Sequence, residues 1–395
     1  MNNVQQEGGI SEEGVVAPRV ILNADVTLEG RIKRRQGFRL AVNLPNAHSL
    51  WGNRAVMLCA AEGYLYRIYP DASKIQVCTI DGPEDERLYY ETAENMVYVS
   101  SRYWNGIFDL MNNNVRAWGI PLPGQPMLSQ AAGSLPSGVY RACFTNADTK
   151  GNLGGNGQIA EIELYSEGGI AILNRPADAI VWTTEPNGDT FFYAGEIDAI
   201  TANPSLEALP TFLCAPPEPM TFIRVRFGRM WGVVNDRFVY SEPYRYDLFK
   251  VNNYFGYDAE IRMVAATPGG FFIGFADKCL FLAGTQPEEM REQYAGAGVV
   301  KGTVAYCNNV GELGNNVPLW ISKDGIVAGA STGQIVPITL NKVQFSAGQE
   351  GMAHSRVVNG APQYMGGFVQ GSSKGSGVGF GDSATCDVVR NGKVL

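Results

Sequence analysis

The sequence predicts an all-β protein in which short strands build a propeller-like body and a smaller sandwich is inserted part-way along the chain. Three observations predict it. The composition is rich in glycine (47 residues) and aromatics (11%) and poor in charge (18%), where a typical soluble domain carries about 25% charged residues; such chains are built from strands and tight turns. Apolar residues recur with period two in Met96-Val-Tyr98-Val-Ser100, Arg229-Met-Trp231-Gly-Val-Val234, Phe238-Val-Tyr240 and Gly270-Phe-Phe-Ile-Gly-Phe275, as strands require. Six hairpin dipeptides, Asp81-Gly82, Asn105-Gly106, Asn187-Gly188, Asp324-Gly325, Asn359-Gly360 and Asn391-Gly392, supply the positive φ angles of tight β-turns.

Taken in order, residues 1–19 read as a polar, acidic arm (Glu7, Glu12, Glu13) without the apolar stretch of a targeting signal. Residues 20–125 and 218–395 read as the two parts of the body. A strand ending in an aromatic recurs at Leu50-Trp51, Val97-Tyr98, Met230-Trp231, Phe271-Phe272 and Leu319-Trp320. The spacing is that of four-stranded propeller blades, about 40–50 residues, except for one long gap between Tyr98 and Trp231. A pair of β-sandwiches is the competing architecture. Inside the gap, five short strands within residues 137–200 fit a small sandwich of the fibronectin type III kind. The proline-, alanine- and serine-rich stretches Pro121 to Pro136 and Pro204 to Pro219 read as its linkers. Pro287 to Tyr294, opened by proline and closed by Gly296 and Gly298, reads as a short connector helix.

Chemistry is sparse. A net charge of −8 argues against a protein that coats nucleic acid, which needs a basic excess to release counterions. No stretch reaches the roughly 18 apolar residues of a spanning helix, so no membrane span is expected. The seven scattered cysteines, without any Cys-x-x-Cys pair, read as small buried thiols of a reducing compartment, with neither zinc nor a disulfide framework. The two histidines, His48 and His354, sit in no nucleophile motif and read as packing or turn residues. Asp25, Asp109, Asp236, Asp258 and Asp277 stand near strand ends, where aspartates form turns. Ser322-Lys-Asp324-Gly325 departs from the sialidase Asp-box and reads as a plain hairpin turn. The glycine run from Gly375 to Gly381 lacks the lysine and hydroxyl of a phosphate loop and reads as a surface loop. No catalytic residue, metal or cofactor is expected.

The one basic cluster is Gly30-Arg-Ile-Lys-Arg-Arg-Gln-Gly37-Phe-Arg-Leu40. Alternation places Arg31, Lys33 and Arg35 on one strand face. A solvated strand edge protected by its charges is one reading, an ion-pair surface between subunits is a second, and direct contact with nucleic acid is the third; the three residues are the candidate interface.

Several phrases resemble structural proteins of phage tails. They are Asn23-Ala-Asp25 through Gly37 and on to His48-Ser-Leu-Trp51; Tyr140-Arg-Ala with Thr183-Thr-Glu185-Pro-Asn-Gly188; Gly228-Arg-Met-Trp231-Gly with Tyr240-Ser-Glu-Pro243-Tyr-Arg-Tyr246-Asp-Leu-Phe249; Leu319-Trp-Ile-Ser-Lys-Asp324-Gly325; and Gly381-Asp-Ser-Ala with Arg390-Asn-Gly392. The resemblance implies a virion protein of the tail-nozzle type found in short-tailed phages and prophages. It further implies a homo-oligomer, a hexameric ring beneath the tail adaptor that contacts tail fibres and lets genomic DNA pass non-specifically. Assembly in the host cytoplasm and residence in the virion tail follow from the same likeness. A tail hub or fibre-attachment ring is the nearest alternative. A carbohydrate-binding or depolymerising propeller is the alternative from another class, disfavoured by the lack of a recurrent carboxylate motif.

Overall fold

The computed structural model describes residues 8–10, 16–18, 24–26, 32–34, 40–53, 56–339, 350–358, 361–368 and 384–387. Among them the chain is all-β, with no α-helix and two 3-10 turns. It divides into two compact units, residues 42–256, and residues 1–41 with 257–395. In the second of these, β1 (Gly8–Ile10) pairs with β2 (Val16–Pro18), and β3 (Ala24–Val26) with β4 (Ile32–Arg34).

The unit of residues 42–256 begins with two four-stranded antiparallel meanders. The first joins β5 (His48–Gly52), β6 (Met57–Ala61), β7 (Tyr64–Ile68) and β8 (Lys74–Thr79). The second joins β9 (Tyr89–Ala93), β10 (Met96–Ser100), β11 (Asn105–Asp109) and β12 (Asn114–Arg116). The inserted sandwich supplies β13 (Leu128–Leu135), β14 (Gly138–Ala147), β15 (Leu153–Asn156), β16 (Ala160–Leu164), β17 (Gly168–Ile172), β18 (Ile180–Thr184), β19 (Phe191–Gly195) and β20 (Ala199–Ile200). Its smaller sheet runs β13-β17-β20; its larger runs β15-β14-β18-β19, with β16 also on β14. The chain returns through β21 (Cys214–Ala215), then β22 (Thr221–Arg226), β23 (Arg229–Val234), β24 (Arg237–Tyr240), β25 (Phe249–Lys250) and β26 (Tyr254–Gly256). Of these, β22-β23-β24-β26 form a third meander, while β25 turns aside to pair with β21.

The other unit continues the pattern. β27 (Met263–Thr267), β28 (Gly270–Gly274), β29 (Lys278–Ala283) and β30 (Arg291–Ala297) form one meander. The next comprises β31 (Ala305–Cys307), β32 (Val317–Ser322), β33 (Gly325–Gly329) and β34 (Ile335–Pro337). A three-stranded sheet of β35 (Gly351–Val358), β36 (Ala361–Phe368) and β37 (Ala384–Asp387) follows.

A pair of sandwiches would have placed these strands in large facing sheets. The body consists instead of separate four-stranded meanders in chain order, and it is propeller-like. Packing in the body follows the same logic, because four cores among the described residues lie between consecutive sheets. Leu58, Leu65, Val97, Val99 and Phe108 join the first and second meanders. Tyr98, Ile107, Met220, Ile223 and Met230 join the second and third. In the other unit, Met263, Phe272, Phe281, Trp320 and Val327 form one such core, and Leu319, Ile321, Ile326 and Tyr364 another. Four of the five aromatic markers, at Tyr98, Trp231, Phe272 and Trp320, sit on the second strand of a meander, where both neighbours are paired and burial is greatest. Trp51 is out of step, on the first strand of its sheet.

Local readings fare differently. Asn187-Gly188 and Asp324-Gly325 lie at hairpin turns, whereas Asn105-Gly106 begins β11 and Asp81-Gly82 lies between two sheets. Gly106 is needed there for closeness, since a Cβ would stand 2.5 Å from Val115. Other tight turns use Glu62-Gly63, Glu94-Asn95 and Phe227-Gly228, all at positive φ. The expected helix at Pro287 to Tyr294 is not formed. Only Pro287–Glu289 makes a 3-10 turn, and Arg291–Ala297 is β30, paired along its length with β29. An eight-residue helix alone is below the length that sustains itself, and the open edge of β29 offers the backbone a full ladder. Leu128–Leu135 also departs from expectation, being strand β13 in a stretch whose composition reads as linker. Its alanines and Gly133 fit because β17 comes so close: a Cβ at Gly133 would lie 2.6 Å from the Gly168 carbonyl oxygen.

Two predictions follow from these cores. Phe272 is fully buried against Phe281 and Trp320, so Phe272→Ala should cost about 3–5 kcal/mol, read as a lowered midpoint in chemical denaturation. Burial pushes the thiols of Cys143 and Cys279 up to about 12, and those of Cys78, Cys214 and Cys307 up to about 11, from an ordinary 9.0. A raised folded value leaves stability intact below the unfolded value and removes it as pH climbs toward the folded one. The urea midpoint should therefore hold up to about pH 9 and fall progressively above it, while Cys143 and Cys279 should react with a thiol reagent only after unfolding.

Candidate interaction surfaces

The sandwich is fixed to the body by a dense junction within residues 42–256. β15 brings Leu153-Gly-Gly-Asn156 against β21 so closely that a Cβ on Gly155 would lie 1.7 Å from the Cys214 carbonyl oxygen. Gly154 and Gly157 are similarly crowded, by Ile120 and by the Pro123 carbonyl. With no side chains between them, the two backbones are bound by polar groups. Thr211 Oγ1 donates to the Gly154 carbonyl at 2.6 Å, and the Leu213 amide donates to Asn156 Oδ1 at 2.7 Å. Arg245, in the loop between β24 and β25, reaches across with Nη2 to the Leu153 carbonyl at 2.8 Å. Asp247 holds that guanidinium through Nε (3.0 Å) and Nη2 (3.1 Å), and its hydrogen bonds raise the already high pKa of Arg245. Leu213 is held at φ 59, a strained conformation that persists only where its surroundings impose it.

Both connecting segments are pinned. On the way out, Trp118 Nε1 donates to the Tyr246 carbonyl, Asn146 Nδ2 to that of Pro121, and Gln125 Nε2 to that of Ile159. On the way back, residues 205–209 run along β19, with hydrogen bonds from Ser205, Leu209 and Tyr193 amides. Leu209 and Phe212 then cover Cys143, Trp182 and Phe191 on the outer face of the larger sheet. Inside the sandwich, Tyr140 donates its hydroxyl to the Pro136 carbonyl four residues upstream.

The insert also concentrates charge. Residues 128–200 hold nine carboxylates and three cations, net −6 of the chain's −8. Arg141 joins Glu161 and Asp189, and Arg175 joins Asp198. The basic strand contrasts with it. Lys33 lies on β4 in register with Asp25 on β3; Arg31 and Arg35 lie outside the described residues.

The other residues singled out by the sequence do not come together. His48 starts β5, its Nδ1 2.9 Å from Ser49 Oγ and its Nε2 2.8 Å from the Glu84 carbonyl; Ser49 Oγ also accepts from the Leu88 amide. That network ties residues 84–88 to the first meander. His354 is exposed on β35. Asp109 accepts from the Met111 amide and the Asn112 side chain, which lower its pKa; it is a turn former. Ser322 and Gly325 close a hairpin in which Asp324 donates its amide to Ser322 Oγ. Gly375 to Gly381 lies outside the described residues. Among the described residues, no helix is long and apolar enough to cross a membrane and no three ligand-type side chains cluster as a metal site would need. Thr211 and Asn156 carry no motif of their own, and Arg245 stands in a quoted phrase without a role there; the sequence signal for the junction is the adjacent pair Gly154-Gly155.

No family model and no curated protein matches the chain. Solved structures similar to it include apo AztD from Citrobacter koseri, at TM-score 0.35 and 9% identity over 85% of each chain. Virginiamycin B lyase from Staphylococcus aureus aligns at TM-score 0.31 and 11% identity, over 80% of this chain and 90% of that one. The extracellular domain of BT4673 from B. thetaiotaomicron aligns at TM-score 0.32 and 9% identity over 80% of this chain. The chain spans 36% of the length of that extracellular domain. Likenesses this distant assign no activity.

The junction makes its own prediction. Arg245→Ala removes a charge-assisted hydrogen bond worth roughly 1.5–3 kcal/mol. Amide hydrogen exchange in residues 153–156 and 211–215 should quicken on that substitution, with the strands of the meanders unaffected. Gly155→Ala should do so more strongly, because no rotamer relieves a clash with backbone.

Proposed function

We propose that this chain is a structural protein of a phage tail, the nozzle ring that forms the distal DNA channel and contacts the tail adaptor and fibres. The observation that carries the reading is what the residues of the resembling phrases do. In the phrase from Gly228 to Phe249, Arg229 donates to the Ser241 carbonyl, Ser241 Oγ accepts from the Met230 amide, and Arg245 with Asp247 clamps the insert. In the phrase around Tyr140 and Thr183, Tyr140 and Thr183 bond to backbone carbonyls. These side chains are spent on architecture, as a scaffold's are.

The fold suits a ring protein in which a rigidly held insert presents a second surface at a fixed angle. Charge supports the same reading. Six copies in a hexamer would hold roughly −48, six times −8, and an acidic bore repels the duplex and leaves it free to slide. The basic strand at Arg31, Lys33 and Arg35 then belongs away from the bore, against a neighbouring subunit.

The test is localisation together with inertness. Antibody raised against the purified chain should label the tail tip of particles released by a host that encodes it, and the protein should release no sugar from capsular or lipopolysaccharide glycans. Particles that lack the chain, or saturable glycan cleavage abolished by one aspartate substitution with the fold intact, would overturn the proposal.

A further inference from the structure

A cleft of about 200 Å³ opens in the unit that holds β27 to β37, between β30 and the sheet of β31 to β34. Its β30 wall is Ala295, Gly296 and Ala297, and a β-bulge shapes it. Tyr294 pairs with Leu280 and Gly296 with Cys279, which leaves Ala295 as an extra residue without a partner on β29. Bulges of this kind bend a strand and re-aim its side chains. Residues with so little side chain leave the space open. The facing wall is apolar, with Val327 on β33 and Ile335 and Pro337 on β34. Val327 and Ile335 belong to the core around Phe272 and Trp320, so that wall is firmly backed.

The polar part of the lining, Ser322 and Asp324, comes from the hairpin turn that joins β32 to β33. Ser322 is buried, and its Oγ accepts from the Asp324 amide at 3.0 Å, which fixes the turn. Asp324 is exposed, and its carboxylate accepts no hydrogen bond and enters no ion pair among the described residues. Lys323 beside it is exposed and does not line the cleft. The cleft offers one carboxylate without a counter-ion, an apolar wall and no cation.

These features select a class of ligand. A lone carboxylate repels anions, and the volume falls below the roughly 300–1,000 Å³ of sites that take drug-sized ligands, so nucleotides and oligosaccharides are too large. A cationic head on a short apolar stem fits both the charge and the wall. An exposed ion pair binds little by itself, so the stem against Val327, Ile335 and Pro337 has to supply the rest. We propose that the cleft binds an alkylammonium or alkylguanidinium group, borne by a free amine or by a lysine or arginine side chain of another protein. The site needs neither a ring nor DNA, so it stands or falls separately from the proposed function.

Amide-resolved NMR on the full chain, titrated with n-butylammonium and with a blocked alanine-lysine-alanine peptide, tests the site. Saturable shifts should fall on the amides of Gly296, Gly325 and Val327. From methylammonium to n-butylammonium, each added methylene should tighten binding about fourfold, the factor expected of a buried methylene. Asp324→Asn should weaken both probes about fivefold, the upper value for an exposed ion pair, and remove the salt dependence of binding, with the thermal melt unchanged. Tighter binding of the peptide than of n-butylammonium assigns the occupant to a protein side chain, and the reverse assigns it to a free amine. No saturable shift with either probe, equal binding of butyrate or butanol, or an affinity unmoved by Asp324→Asn would overturn the proposal.

Discussion

In the unit of residues 42–256 two stretches of backbone meet at Gly155 and Cys214 with no room for a side chain at Gly155, and the placing of the insert depends on that contact. A side chain at Gly155 would collide with a carbonyl oxygen, so the two strands meet without side chains between them. Their polar groups would be stranded without partners, and an unpaired buried polar group costs about 1–3 kcal/mol. Thr211, Asn156 and Arg245 supply those partners. The apolar patch under Leu209 and Phe212 adds burial on the neighbouring sheet face. Two segments whose composition reads as linker thereby become walls, and the insert is fastened at both of its connections.

That constraint links fold to proposed role. A sandwich tethered by flexible linkers would sample many directions and could not present a surface at one angle. A clamped one can, and repeating the same angle in every subunit is what closing a ring demands. The insert carries most of the net charge, so its placement also fixes where the negative field of this unit is strongest.

Much of the fold was legible because it rests on period two. Met96–Ser100 and Arg229–Val234 are strands with the bounds that alternation gives them. The spacing of Tyr98, Trp231, Phe272 and Trp320 reports the repeat because each occupies the same strand of its sheet. What escaped was decided by tertiary closeness. β13 is written in alanine, serine and glycine because β17 leaves no room, so it lacks the β-branched residues that announce a strand. β30 carries a helix-like run of Glu, Met and Arg residues around its start, and the open edge of β29 overrides it. The junction was announced only by the pair Gly154-Gly155, and its polar partners were not, for a related reason. Arg245 and Leu153 lie far apart in sequence, and a hydrogen bond to a carbonyl leaves no trace in the identity of the residue that owns it. The candidate cations at Arg31, Lys33 and Arg35 were found by alternation, and only Lys33 has a described position, in register with Asp25.

Electron microscopy of the purified full-length chain tests the account most directly. It predicts closed rings with a central opening, in whose class averages the inserted sandwich stands at one angle in every subunit. Single particles without rings at low salt, with the insert smeared over many orientations, would contradict both the assembly and the clamp that is argued to make it possible.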